Sequence, residues 1–398
     1  MRADPFQARP LPGGWVTPEL VTISLALFLS ATGAMAFVQF FVPYLTSVKG
    51  LTTEAASVLL AAAFAVAGIG RFAYPAVQRR IGDRGVLFLG HALLTAYPML
   101  LIVTSGAWSM AAAVLLFGAG GAMVFSAGPL QILDATPRRW HGRASGWFFA
   151  TNFLAWALGV LVLGTIAQHI GLHALPAVAS GLAAAGLAAV AVVPKRPAVR
   201  RESGAWTAIR WALMPGPRTI LVLMAASSIA FGLMFVTVAA IATERLGPQE
   251  AALLLSVFYV ARLPGSVLAG FMVDRVGASR LLGAAFWAAA ITLVTVPLTD
   301  GAWILLLAVI VLGLQQAAVP VAAMASAERW TPVGATHLTY TPFFTALELG
   351  VAVTVLLGQI VTGFGADIGG VLALFGIVYA LAGTLAVVTL TPPSNTRT

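Results

Sequence analysis

Apolar runs of membrane-spanning length recur along the whole chain, and they restrict its fold more than any other feature. They lie near 20–45, 55–77, 86–104, 109–133, 146–168 and 174–193, then near 219–243, 250–273, 281–298, 303–326, 339–362 and 368–390. Bilayer hydrocarbon is about 30 Å thick and takes about 20 apolar residues per helical crossing. Lipid offers the backbone no hydrogen-bond partner, so only helices and closed barrels span it. A barrel strand alternates polar with apolar residues, and these runs do not. The reading is an all-α integral membrane protein with 12 transmembrane helices. Charged residues make up 9% of the chain against 60% hydrophobic, too few to coat a soluble core.

The basic residues orient the spans. Of 22 lysines and arginines, Lys49 and Arg245 alone fall in segments on one side, and Arg71 and Arg262 lie within spans. The remainder share the side of the amino terminus, among them Arg79, Arg80, Arg138, Arg139, Arg143, Arg275 and Arg280. That asymmetry predicts cytoplasmic termini and a multi-pass protein of the plasma membrane, the inner membrane in a bacterium. The net charge of +9 is then a matter of topology, and nucleic acid drops out as a partner. Pro194 to Arg218 is the longest polar interval and reads as a solvated connecting loop, whose six basic residues could also meet anionic lipid headgroups. It divides the chain into a tail (1–19), a six-helix bundle (20–193), a cytoplasmic linker (194–218), a second bundle (219–390) and a tail (391–398). With no cysteine, disulfides and thiolate metal sites are excluded, and no metal or cofactor is expected.

The two halves repeat. A shift of 195 positions lays Gly82 on Gly277, Gly106-Ala107-Trp108 on Gly301-Ala302-Trp303, and Gly118 on Gly313. Two similar bundles predict such repetition. Gly68-x-Gly70 and Gly118-x-Gly120 follow no strand, so they read as helix-packing glycines and not as nucleotide loops.

Between the eighth and ninth spans stands Gly270-x-x-x-Asp274-Arg275-x-Gly277-x-x-Arg280, which resembles the signature loop of the major facilitator superfamily. The resemblance implies two pseudo-symmetric six-helix bundles, transport by alternating access, and a cytoplasmic gate motif. It also implies that Asp274 faces the start of the fifth span near Arg143. Glycine at 270 would let helices approach closely, and glycine at 277 would permit a tight reversal. The first-half copy departs from the pattern: Pro75 stands where glycine is usual, and Arg79 replaces the acidic residue, followed by Arg80 and Gly82. Asp134, at the end of the fourth span, is expected to compensate for Arg79 or Arg80. Val114 and Val160 stand where drug-proton antiporters of the family carry motif residues, which argues against that subgroup.

Ionic residues inside the spans are the candidate site. An arginine at a helix centre costs about 2.5–3.5 kcal/mol on insertion scales, so each needs a reason. Arg262 precedes Asp274 by about 18 Å of ideal helix, near mid-membrane, with Tyr259 and Ser266 on the same face. A guanidinium there suits a carboxylate or phosphate. Arg71 lies about 12 Å above the inner rim. By family resemblance the second and eleventh spans face each other, which puts Arg71 and Glu348 at similar depth. They are expected to pair when the cytoplasmic side is closed and to separate on protonation of Glu348 or on substrate binding. Gln315, Gln316, Asn152 and Gln39 complete the candidate substrate-binding set, and His91 reads as a structural contact. The expected function is secondary transport of a small solute, with protons as the coupling partner. A small organic anion is the favoured substrate. Efflux of lipophilic or cationic drug-like compounds is the alternative, and a non-transporting sensor or assembly protein on this fold is a third. An enzyme is not expected.

Overall fold

The computed structural model describes residues 16–104, 106–137, 140–195, 205–235, 237–298, 301–327, 330, 336–363 and 368–390. Residues 1–15 and 391–398 of the expected tails, and 196–204 of the linker, lie outside them. Eleven helices among the described residues are long and apolar enough to cross a membrane, and the longest, Thr53–Val103, is two spans in one. Its backbone breaks at Gly82, with φ +72° and ψ 168°, a conformation that costs glycine little and strains any residue bearing a Cβ. The spans are α1 (Pro18–Ser47), α2 (53–81), α3 (83–103), α4 (Ala107–Ala135), α5 (His141–His169) and α6 (Leu172–Val190). The second set is α7 (Pro215–Phe235, resuming over Thr237–Leu246), α8 (Pro248–Val276), α9 (Ala278–Leu298), α10 (Ala302–Ala327), α11 (Thr336–Gly363) and α12 (Ile368–Leu390).

The first span starts earlier than the apolar pattern suggests. Thr17 caps it by accepting a hydrogen bond from the Leu20 amide at 3.1 Å, with Pro18 in the first turn, as helix starts favour. Midway, α1 loosens into a π turn over Ala31–Met35 and a 3-10 turn over Ala36–Phe40.

Six helices form each half, and the halves meet where α2 lies against α11 and α5 against α8. The repeat survives at the level of atoms. A Cβ on Gly118 would stand 2.6 Å from the Ala63 carbonyl oxygen and 2.6 Å from Val66 Cβ. On Gly313 it would stand 2.6 Å from the Phe258 carbonyl oxygen and 3.0 Å from Ala261 Cβ. Phe258 and Ala261 are Ala63 and Val66 shifted by the same 195 positions. Overpacking typically costs about 1–3 kcal/mol, so Gly118→Val and Gly313→Val should each lower the melting temperature. Gly181→Val, where a Cβ meets nothing within 4 Å, should not.

Residues related by a twofold operation can touch only near its axis, and two such pairs cross the seam between the halves. Phe149 and Phe344, 195 apart, stack with centroids 5.8 Å apart and planes 5° from parallel. Gln39 Nε2 donates to the Met234 carbonyl at 2.7 Å, again across 195 positions. The first pair lies toward the linker side of the bundle and the second toward the far side.

The linker contains a helix, Ala205–Ala212, in place of the connecting loop expected from its charges. Trp211 buries its ring 5.7 Å from Phe343 of α11 and donates its indole N–H to the Trp330 carbonyl at 3.0 Å. Trp206 and Arg210 face outward.

Candidate functional site

On the linker-side half of the seam, α2 and α11 are joined by an ion pair. Arg71 Nη2 lies 2.8 Å from Glu348 Oε1, with Arg71 fully buried. Gly68 makes this approach possible: a Cβ there would stand 3.1 Å from the Thr345 carbonyl oxygen and 3.2 Å from Glu348 Cβ. One helical turn from the ion pair, Thr345 Oγ1 donates to the Gly68 carbonyl at 2.9 Å. The Arg71 guanidinium also lies 5.7 Å from the Phe344 ring and 5.9 Å from Phe125. Nε and Nη1 have no hydrogen-bond partner, so one carboxylate and two ring faces hold the charge.

Arg262 sits near the middle of α8 and points across the seam to α5. Its guanidinium carbon lies 3.9 Å from the Phe153 ring centroid, with Phe231 at 5.3 Å, Phe258 at 5.5 Å and Tyr259 at 6.0 Å. The side chain is 8% exposed and its Nε has no hydrogen-bond partner. No carboxylate pairs with it among the described residues. A desolvated cation–π contact contributes about 2 kcal/mol, whereas burying a charge costs several. Phe153 alone lies within 4 Å and the other rings stand more than 5 Å away, so the rings offset only part of that cost and an anion would offset more.

Aromatic side chains from both halves fill the seam on the far side of Arg262. Trp156 of α5 stacks on Tyr259 at 5.1 Å and lies 5.6 Å from Phe231 of α7, while Phe64 of α2 lies 5.3 Å from Phe235. Tyr259 donates to Gln39 Oε1 at 3.2 Å. Gln39 thus ties α1 to both α7 and α8, and its amide is spent on closing the far side. Replacing it with leucine should weaken that closure by about 1 kcal/mol per lost hydrogen bond, seen as increased far-side labelling of a single cysteine.

Other expected site residues divide. Ser266 donates to the Arg262 carbonyl at 2.9 Å within its own helix, so its hydroxyl is already satisfied. Gln315 turns to α12, where Tyr379 donates to it at 3.4 Å and to the Ser227 carbonyl at 3.2 Å. Gln316 is fully buried, and neither side-chain polar atom has a partner. Asn152, beside Phe153, is buried with Oδ1 unpartnered. His91 binds Ser30 Oγ through Nδ1 at 2.7 Å, tying α3 to α1.

At the linker-side rim, Gly277 carries φ +86° between α8 and α9, matching Gly82 at the equivalent reversal. Gly270 does not provide a close approach: a Cβ on it would meet nothing within 4 Å, because α8 faces open space at that turn. Arg79, Arg80, Asp134, Arg275 and Arg280 are exposed. Arg143 is exposed too, 4.4 Å above the Trp140 ring, and the Asp274 side chain expected beside it lies outside the described residues. The acidic residue that works in the first loop is Asp83, which position-for-position comparison with the second loop overlooks. Its carboxylate accepts from Tyr74 at 2.6 Å and from Gln78 at 3.2 Å, lashing the start of α3 to the end of α2. Phe153, against which Arg262 packs, carries no signal of its own in the sequence; it is the residue that the 195-position shift lays on Glu348.

Twelve spans in two related bundles, with buried ionic residues gathered on the seam, define a membrane transporter of the two-bundle type. The sequence profile of the Major Facilitator Superfamily matches residues 23–247 and 220–398. The chain belongs to that superfamily. Among solved structures it is similar to an auto-inhibited POT family peptide transporter, at TM-score 0.72 and 12% identity, covering 96% of this chain and 99% of that one. It is also similar to a bacterial homologue of the human drug peptide transporters PepT1 and PepT2, at TM-score 0.67 and 14% identity, covering 94% and 96%. Likeness at such identities speaks for the fold alone. No curated protein matches the chain significantly.

Proposed function

We propose that the protein is a secondary carrier that moves a small organic anion by alternating access, with Arg262 as the anchor for the anion. The observation that carries this reading is a guanidinium buried at the seam, ringed by aromatic side chains and, among the described residues, without a carboxylate partner. A cation in that setting binds an anion strongly, since both a charge-assisted hydrogen bond and relief of desolvation are gained.

Arg71 and Glu348 form the linker-side gate. The pair joins α2 of one half to α11 of the other, so it must break for that side to open. Proton coupling rests on Glu348: protonation removes the charge that holds Arg71. By the distribution of basic residues the linker side is cytoplasmic, with both chain ends there and Pro194 to Arg218 joining the bundles. The similar structures are titled as peptide transporters, and a peptide is one solute that presents a carboxylate.

Efflux of lipophilic or cationic compounds is the second reading, favoured by the aromatic seam of Phe64, Trp156, Phe231, Phe235 and Tyr259. Calorimetric binding to purified protein separates the two. N-benzoylglycine should bind and benzyltrimethylammonium should not; the reverse order would establish the second reading.

A further inference from the structure

The two seams between the halves are related by the 195-position shift, and they differ in one chemical respect. On the first, α2 meets α11; on the second, α8 meets α5. The residue of α5 equivalent to Glu348 is Phe153. Each of these residues faces an arginine of the opposite helix, Arg71 across 2.8 Å and Arg262 at 3.9 Å from the ring centroid. The two arginines are not themselves equivalent. Arg71 maps to Ser266, one helical turn from Arg262, and the long guanidinium side chain spans that turn to reach Phe153. Both arginines lie near aromatic rings. Among the described residues, the first seam therefore holds arginine, rings and a carboxylate, and the second holds arginine and rings without a carboxylate.

We infer that the ligand of this transporter is a hydrophobic monocarboxylate, whose carboxylate takes at Arg262 the place that Glu348 takes at Arg71. This rests on the proposed anchoring role of Arg262 and adds the class of solute. One charge is missing, which suits a monoanion. The side chains around the gap are Phe153, Phe231, Phe258 and Tyr259, with Trp156 stacked behind. They offer an aryl or branched alkyl body good contact and give a multiply charged, strongly hydrated anion such as phosphate nothing to replace its water. Binding swings the Phe153 ring aside and places a carboxylate between α8 and α5, as Glu348 places one between α2 and α11.

The test is thermal stabilisation and calorimetric binding of the purified full-length protein. The probes are N-benzoylglycine, its neutral amide and inorganic phosphate. Wild type should bind N-benzoylglycine at least about ten times more tightly than either of the others. Phosphate binding as tightly as N-benzoylglycine would overturn the assignment of class, and this comparison needs no variant. Phe153→Glu supplies the missing carboxylate from the protein itself. It should raise the ligand-free melting temperature by at least the shift that saturating N-benzoylglycine gives wild type, and it should abolish binding. Gly181→Val, where an added side chain meets nothing within 4 Å, should bind within about threefold of wild type. If Arg262→Gln abolishes binding while Phe153→Glu leaves it intact, the seam equivalence is wrong and the anchoring role stands. If Arg262→Gln also binds normally, the anchoring role itself is wrong.

Discussion

Arg262→Gln should reduce the affinity for N-benzoylglycine by at least about 30-fold while the protein stays folded. Truncating one partner of a buried, hydrogen-bonded charge pair costs about 2–5 kcal/mol, which corresponds to a loss between about 30-fold and several thousand-fold. The same substitution should raise the ligand-free melting temperature, because it removes a buried charge that has no carboxylate partner among the described residues. The opposite signs are diagnostic. A merely structural arginine would lose stability and affinity together, and unchanged affinity would mean that the solute binds elsewhere.

The second large effect falls on the gate. Breaking a buried ion pair by removing one partner costs about 3–5 kcal/mol, so Arg71→Met and Glu348→Leu should each shift the linker-side equilibrium toward open by at least about 100-fold. The chain has no cysteine, so Thr345→Cys, beside the pair, reports opening through its rate of labelling, with the Thr345→Cys protein, which lacks the Thr345–Gly68 hydrogen bond, as the common reference. Replacing both partners by apolar residues, Arg71→Met with Glu348→Leu, removes the orphaned charge and should return labelling close to the reference rate. The coupling energy between the two sites is then large. Additive effects would mean that the two residues act independently and that the gate is not this pair.

Much of this architecture was legible in the sequence because lipid is a demanding solvent. Apolar length revealed the spans, and an arginine amid apolar residues stood out because it is costly there, which is how Arg71, Arg262 and Glu348 were found. The shift of 195 was readable from glycines whose roles leave no alternative residue, at the Gly82 and Gly277 reversals and at the Gly118 and Gly313 contacts. What stayed hidden was partner choice. A phenylalanine on an apolar helix looks the same whether it packs in a core or faces a guanidinium, so Phe153, Phe149 and Phe344 gave no signal singly. Gln39 and Gln315, expected as solute contacts, also bond to neighbouring helices, and only the tertiary arrangement reveals such partners. The short helix Ala205–Ala212 was masked by the arginines around it.

Solute counterflow in proteoliposomes tests the central claim most directly. Vesicles containing the full-length protein are preloaded with unlabelled N-benzoylglycine and diluted into labelled compound. The account predicts a transient internal excess of label in wild type, its loss in Arg262→Gln, and its persistence in Gly181→Val. Counterflow undiminished in Arg262→Gln, or no counterflow by folded wild type that binds the compound, would contradict it.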